Sequence, residues 1–155
     1  MKNTLKTNVY FRSLISLAEK YEAEKKAHQD KRQGIIDTYG LYSNEYDEWN
    51  KERSRIREER PFSTGTQKAL SAWHWSEGEE VEVTDTVWDS EAHDFINAFR
   101  EAIIPTFVIT AKSTNLMENI HLFIAEGCEM VGACTIEKDG LFGKEQVMGI
   151  RFKVN

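Results

Sequence analysis

The sequence predicts an α/β (α+β) fold, in which an N-terminal helical hairpin precedes a small mixed β-sheet with two covering helices. Two observations carry this prediction. Apolar residues recur at helical spacing in the first sixty positions, and the second half of the chain alternates between strand-like and helix-like patterns. The predicted order of elements is αα-β-αβαββ. A chain of 155 residues with two prolines fits one domain over residues 1–155, with a helical-hairpin subregion at 1–60 and an acidic α/β core at 77–155.

The helical hairpin is predicted from residues 8–32 and 43–59. Gly34 and Gly40 are expected to bracket a break between the two helices, and Pro61 is expected to end the second. The first helix carries an apolar stripe of Leu14, Leu17, Ala18 and Tyr21. The second helix, capped by Ser43 or Asn44, carries a stripe of Tyr42, Tyr46, Trp49, Arg53 and Ile56.

The middle of the chain leads into the first predicted strand. Residues 66–75 are ambiguous between a short helix and an extended entry to a strand. Residues 79–87 alternate clearly, because the valines point one way while Glu80 and Glu82 point the other. This pattern predicts a half-buried strand. A helix follows at 90–103, with an N-cap at Asp89 and an apolar stripe of Ala92, Phe95, Ile96, Phe99 and Ile103.

The C-terminal third completes the predicted sheet. A short strand at 106–111 precedes a helix that opens at Ser113 or Thr114 and stops at Gly127. Residues 106–136 therefore read as a parallel βαβ unit with a right-handed crossover. The last two strands, Cys128–Glu137 and Glu145–Val154, are predicted to form an antiparallel hairpin whose turn begins at Lys138-Asp139-Gly140.

Charge is sorted along the sequence rather than mixed. The window from Glu77 to Asp94 holds eight carboxylates and no Lys or Arg. Residues 1–60 hold 13 Lys/Arg against 11 Asp/Glu, whereas residues 61–155 hold 7 against 15. Such asymmetry predicts an acidic surface that docks a basic partner or imitates a phosphate backbone. The expected carriers are Glu80, Glu82, Asp85, Glu91 and Asp94. The alternative is a solvated face whose acids favour a helix N-terminus.

Tryptophans are the second group of candidate binding residues. On a strand, Trp73 and Trp75 would share one face and could form an exposed platform, since tryptophan is enriched at interface hot spots. Trp88 is a third candidate anchor. The competing interpretation is that the Trp73/Trp75 pair belongs to the core, because aromatic side chains bury large areas in small domains.

Two alternative sites stay open. An anion could bind at the strand-to-helix turn 111–115, where Lys112, Ser113 and Thr114 precede a helix. A small enzyme could use His121 with a cysteine or a carboxylate, provided that the histidine lies in a concave pocket within hydrogen-bond reach of its partner. The four histidines and two cysteines show no metal-ligand spacing, so neither a metal nor another cofactor is predicted.

The remaining expectations concern partners and compartment. The acidic C-terminal part disfavours direct binding to nucleic acid. No apolar run approaches the length of a membrane span, and no signal peptide is evident. Cys128 and Cys134 are not expected to pair, which fits a reducing cytosol. We therefore expect a cytoplasmic protein without a membrane partner, and we leave a homo-oligomer open.

Several C-terminal motifs resemble those of a family of small uncharacterised Firmicute proteins, often encoded on conjugative or phage-like mobile elements. The motifs are 106–108, 113–121, Gly127-Cys128 and 149–152, and the earlier run 60–65 fits the same pattern. The resemblance implies a bacterial cytoplasm and a mobile-element origin, and it implies no activity. Small acidic proteins of such elements are often inhibitors of host defence nucleases, including anti-CRISPR proteins, so the analogy suggests that role. The leading hypothesis is a non-enzymatic protein-interaction module with an acidic docking surface.

Overall fold

The computed structural model describes residues 4–110 and 114–155. The chain divides into two units. The helical unit is Ser13–Phe62, and the sheet unit combines Met1–Arg12 with Ser63–Asn155.

Three helices account for most of the N-terminal half. After a 3-10 turn at Thr4–Thr7 come α1 (Val9–Asp30), α2 (Arg32–Tyr39) and α3 (Asn44–Glu58). Ser43 caps α3 as predicted, because its hydroxyl accepts the Tyr46 N–H at 3.1 Å. The break predicted between Gly34 and Gly40 is wrong, since Gly34 lies inside α2. One glycine costs a helix only about 1 kcal/mol. Of these two glycines, Gly40, whose φ of 89° suits glycine, ends a helix.

An aromatic contact joins α1 to α3 within the helical unit. The rings of His28 and Trp49 stack at 4.8 Å, and each residue bonds the other's backbone carbonyl at 2.9 Å. Two basic residues of α3 are paired with nearby acids, because Arg55 hydrogen-bonds Glu52 and Glu59, and Lys51 forms an ion pair with Glu48. Of the stripe predicted on the second helix, Trp49 and Ile56 are buried, whereas Tyr42 precedes α3 and is fully exposed.

The sheet unit contains four strands and three further helices. Their bounds are α4 (Thr64–Trp75), β1 (Val81–Val83), α5 (Asp89–Glu101), β2 (Thr106–Ile109), α6 (Leu116–Ala125), β3 (Glu129–Gly140) and β4 (Gly143–Lys153). The strand order is β1-β2-β4-β3, with β1 parallel to β2 and the other two pairs antiparallel. The predicted α+β fold class, the N-terminal helical hairpin and the mixed sheet are confirmed.

The parallel unit differs from the predicted one. Its adjacent strands are β1 and β2, which α5 connects. β2 and β3 run in the same direction, but β4 lies between them. The long C-terminal hairpin places β4 rather than β3 beside β2, so residues 106–136 form no adjacent parallel pair.

Phenylalanine rings form the core on one face of the sheet. Phe107 on β2 and Phe152 on β4 stack at 5.5 Å, and rings from α5 and α6 pack against them. All are fully buried or nearly so. The members of this core are Phe95, Phe99, Phe107, Phe123 and Phe152. The two covering helices predicted for the sheet therefore lie on this single face.

Of the two alternatives left open for residues 66–75, the helix is confirmed as part of α4. Three other local expectations need correction. The strand predicted at 79–87 is shortened to Val81–Val83. The N-cap of α5 is Trp88 rather than Asp89, because the Glu91 carboxylate accepts the Trp88 N–H at 3.0 Å. The hairpin strands continue through Gly140 and Gly143, so the turn is the two-residue loop Leu141-Phe142.

No helix in the described ranges is both long and apolar enough to cross a membrane.

Candidate functional site: an acidic cleft on the sheet

The second face of the sheet carries polar side chains. β1 alternates, so Val81 and Val83 join the core while Glu82 points to the opposite side. In the strand register, Glu82 lies beside Val108, and Val108 lies beside Arg151. These side chains therefore share the face opposite to the phenylalanines.

The C-terminal hairpin bends over this polar face. Gly149 permits the bend, because a Cβ at that position would lie 2.5 Å from Val108 Cγ1 and 2.9 Å from the Ile109 carbonyl oxygen. On β3, a shift in the register of the pairing with β4 occurs between Met130 and Gly132. As a result Val108 is completely buried, although it lies on the polar face of the sheet. A cleft of about 340 Å³ remains between the hairpin and β1.

Glu80 forms the first of two ion pairs across the cleft. Arg151 on β4 binds it in bidentate fashion, with Nε···Oε2 at 3.0 Å and Nη2···Oε1 at 2.5 Å. The Thr106 hydroxyl donates a third bond at 2.9 Å. The Arg151 guanidinium holds the pKa of the Glu80 carboxyl below its ordinary value, and burial opposes this effect only in part. Glu80 is therefore a permanent anion at neutral pH.

Glu82 forms the second ion pair. Its carboxylate accepts Lys138 Nζ at 2.8 Å and the Thr110 hydroxyl at 2.5 Å. The Glu82 side chain is only 11% exposed. Because Lys138 belongs to the bent half of β3, this pair ties the hairpin to β1 across the cleft.

The cleft keeps an excess of negative charge after both pairs are made. Among the described residues, five carboxylates line it, and the two cations that line it, Lys138 and Arg151, are already bound to Glu82 and Glu80. The lining acids are Glu77, Glu79, Glu80, Glu82 and Glu137. Lys144 lies 3.9 Å from Glu137, but it bonds more closely to Asp139, at 2.7 Å. Glu77 and Glu79 are exposed. Glu77 interacts electrostatically with Lys144, but neither acid forms a direct ion pair with another described residue.

The other predicted carboxylates do not join this cleft. Glu91 and Asp94 belong to α5, which covers the phenylalanine face, whereas Glu80 and Glu82 face the other side. Glu91 is also neutralised, since Lys68 Nζ lies 2.7 Å from its carboxylate. Asp85 is exposed in the loop after β1. The predicted binding residues of β1 and α5 therefore do not form one acidic surface.

The three predicted tryptophans occupy three different environments. Trp73 is in the core and stacks on Phe11 at 5.1 Å. Trp75 is 77% exposed near the end of the same helix. Two residues along a helix turn about 200° around its axis, so the shared face predicted for this pair is wrong. Trp88 is half-exposed in a separate groove.

That second groove is apolar and lies between the start of α5 and α6. Its volume is about 450 Å³, and its lining is Val87, Trp88, Asp89, Met117, Glu118, His121 and Leu122. Asn119 fixes one wall to the other, because its buried amide donates to the Val87 carbonyl at 2.7 Å and accepts the Val87 N–H at 3.1 Å. Sequence reasoning missed Met117 and Asn119. The signal available in the sequence was Asn119 itself, a polar residue among apolar positions of α6, which indicates a buried hydrogen bond.

The alternative sites gain little from the structure. His121 is exposed in the apolar groove, but within residues 4–110 and 114–155 it makes no hydrogen bond that could orient it as a base. Burial raises the pKa of Cys128 to about 11, so this cysteine is not a ready nucleophile.

Lys112 and Ser113 of the predicted anion turn lie outside the described residues, and Thr114 is exposed. In the described ranges, no group of His, Cys, Asp and Glu is arranged to hold a metal ion.

Comparison with known proteins identifies a family without a known activity. No curated protein matches the chain, and no solved structure does either. A family model described as a domain of unknown function, DUF7698, matches residues 68–154, which include all residues lining both the acidic cleft and the apolar groove. Because this match covers more than half of the chain, the protein belongs to the DUF7698 family.

Proposed function

We propose that the protein is a non-enzymatic interaction module that binds a basic partner protein through the acidic cleft. The observation that supports this proposal is the charge balance of the cleft. Both cations that line it in the described part of the chain are held by Glu80 and Glu82, so the exposed acids Glu77 and Glu79 are left to attract an incoming Lys or Arg. Of the predicted binding residues, Glu80 and Glu82 line this site, and their role is to hold its shape.

The finer proposal concerns the partner and the setting. A concave row of carboxylates can bind a protein surface that normally binds phosphates, because carboxylates and phosphates accept hydrogen bonds from the same Lys and Arg side chains. The partner would thus be a basic nucleic-acid-binding protein, such as a host-defence enzyme inhibited in the anti-CRISPR manner. A mobile-element origin and a cytoplasmic location belong to this same proposal.

The test compares three forms of the full chain as bait in a bacterial lysate. Wild type is compared with the Glu77→Lys/Glu79→Lys variant and with a control, Glu19→Lys/Glu58→Lys, which changes the net charge equally at exposed acids of the helical unit. A captured basic protein is then purified, and its affinity for each form is measured at two salt concentrations.

The proposal expects the cleft variant to bind at least about tenfold more weakly, while the control variant binds as wild type does. Binding should also weaken as salt rises, since exposed charges are screened beyond about 8 Å at physiological ionic strength. Equal affinity for all three forms would overturn the proposal, and so would the absence of any basic protein among the captured ones.

A further inference from the structure

The apolar groove beside Trp88 is a preformed cavity rather than a loose surface. Its two walls are the segment 87–89 and the first turns of α6. Asn119 is only 3% exposed and holds both backbone groups of Val87, while Glu91 holds the Trp88 N–H. Since the wall positions are fixed by hydrogen bonds, a ligand would bind without ordering the groove first.

The groove exposes large apolar side chains to solvent. Met117 is 73% exposed and Trp88 is 51% exposed, and both line the same cavity with Leu122. A half-exposed tryptophan beside a flexible methionine is the composition of an adaptable hydrophobic binding surface. An inserted apolar side chain would remove this surface from water.

Among the described residues, the charged side chains at the rim of the groove are all acidic. Asp89 and Glu118 line it, and no Lys or Arg of the described ranges does. Neither carboxylate forms an ion pair with another residue of the described ranges. A cation on the ligand would therefore find two unneutralised acids next to the apolar floor, whereas an acidic ligand would be repelled.

We propose that this groove binds a short segment of a partner protein that inserts a Leu, Met or Phe side chain and places a Lys or Arg beside it, against Asp89 and Glu118. The apolar floor of the groove favours the inserted Leu, Met or Phe side chain, and the acidic rim favours the Lys or Arg beside it. The acidic cleft shares no lining residue with this groove. The inference therefore stands independently of the function proposed for that cleft.

The experiment selects peptides from a random phage-displayed library on the immobilised full chain. The enriched peptides are synthesised, and their affinities are measured by fluorescence polarisation against four variants. Met117→Ser tests the apolar floor. Its matched control is Met148→Ser, because Met148 on β4 has the same 73% exposure and lies outside both cavities. Asp89→Asn/Glu118→Gln tests the rim, and Glu77→Gln/Glu79→Gln in the acidic cleft is its control.

The expected peptides contain a large apolar residue next to Lys or Arg. Met117→Ser should weaken their binding about tenfold, and the rim variant should weaken it about threefold to tenfold with a smaller salt dependence. Both control variants should bind as wild type does.

Three results would overturn the inference: no enrichment above the uncoated surface, enriched peptides without a basic residue, or equal binding to Met117→Ser and wild type. Sedimentation of the free chain provides a further check. If Met117→Ser abolished a dimer that Met148→Ser preserved, the occupant would be a second copy of the chain and not a basic segment.

Discussion

At the scale of single residues, Gly65 and Gly34 both lie in helices, but only Gly65 is in a place where a larger side chain would collide with a neighbouring element. A Cβ at Gly65, in the first turn of α4, would collide with the Glu91 carbonyl oxygen, whereas a Cβ at Gly34 in α2 would meet nothing within 4 Å. Gly65→Ala should therefore destabilise the protein by about 1–3 kcal/mol through overpacking against a backbone atom. Gly34→Ala should stabilise it by about 0.5–1 kcal/mol, since alanine is the better helix former. Urea denaturation followed by circular dichroism measures both. Equal signs for the two substitutions would contradict the close approach of α4 to α5 at Gly65.

Asn119 is the second residue whose substitution gives a clear expectation. Asn119→Ala would leave the buried N–H and C=O of Val87 without partners, so we expect a loss of about 2–4 kcal/mol in the free energy of unfolding. Asn115→Ala is the matched control, because Asn115 precedes the same helix and makes no side-chain cap bond. A control loss below about 1 kcal/mol, measured by urea denaturation, is expected. Comparable losses would show that Asn119 does not hold the groove wall.

At the scale of elements, the ion pair between Glu80 and Arg151, which ties the hairpin to β1, should make stability depend on pH. The pKa of Glu80 is lowered in the folded state, chiefly by its hydrogen bonds from Arg151. The stabilisation is therefore complete above the ordinary carboxyl pKa of about 4.5, and it is lost as the pH falls through the lower folded value.

The substitution Glu80→Gln tests this pH dependence. At pH 7 it should lower the free energy of unfolding by about 1–2 kcal/mol, less than a buried pair would give because the side chain is partly exposed. The difference from wild type should shrink as the pH falls through the lowered folded pKa of Glu80, because protonation then removes the charge on Glu80 in wild type as well. Glu79→Gln, at an exposed neighbour without an ion pair in the described ranges, should show almost no effect at either pH. Urea denaturation at a series of pH values measures these differences.

The element patterns also show how far the sequence could lead. The valine alternation of β1 and four of the five residues of the predicted α5 stripe identified core positions, because periodicity reports which face is apolar. The fifth residue, Ile103, is a wrong prediction, since it lies beyond the end of α5 and is 86% exposed. The same alternation already implied that Glu80 and Glu82 face away from α5. A helix that connects two parallel strands packs on the apolar face, so acids on the other face cannot converge with acids on that helix. Strand order was not readable, because nothing local to Arg151 or Lys138 indicates that either residue faces a glutamate before or within β1.

At the scale of the whole molecule, the segment before residue 13 belongs to the sheet unit although fifty residues separate them in the sequence. Phe11 is completely buried there, stacked on Trp73 and packed edge-on against Phe99 at 6.2 Å. Asn8 adds a side-chain bond to the Ala102 carbonyl at 2.8 Å. The family match begins only at Lys68, so this part of the core lies outside it.

Phe11→Ala should consequently destabilise the sheet unit as strongly as a change inside the matched region. We expect a loss of about 3–5 kcal/mol, from the removed ring and the cavity that it leaves against Trp73. Val9→Ala, two residues earlier on the same helix, is the control, since Val9 is 81% exposed and its truncation should change stability by less than about 0.5 kcal/mol. Urea unfolding followed by tryptophan fluorescence measures both losses. If Phe11→Ala were as mild as Val9→Ala, residues 68–154 would hold a sufficient core by themselves, and the N-terminal segment would contribute nothing to it.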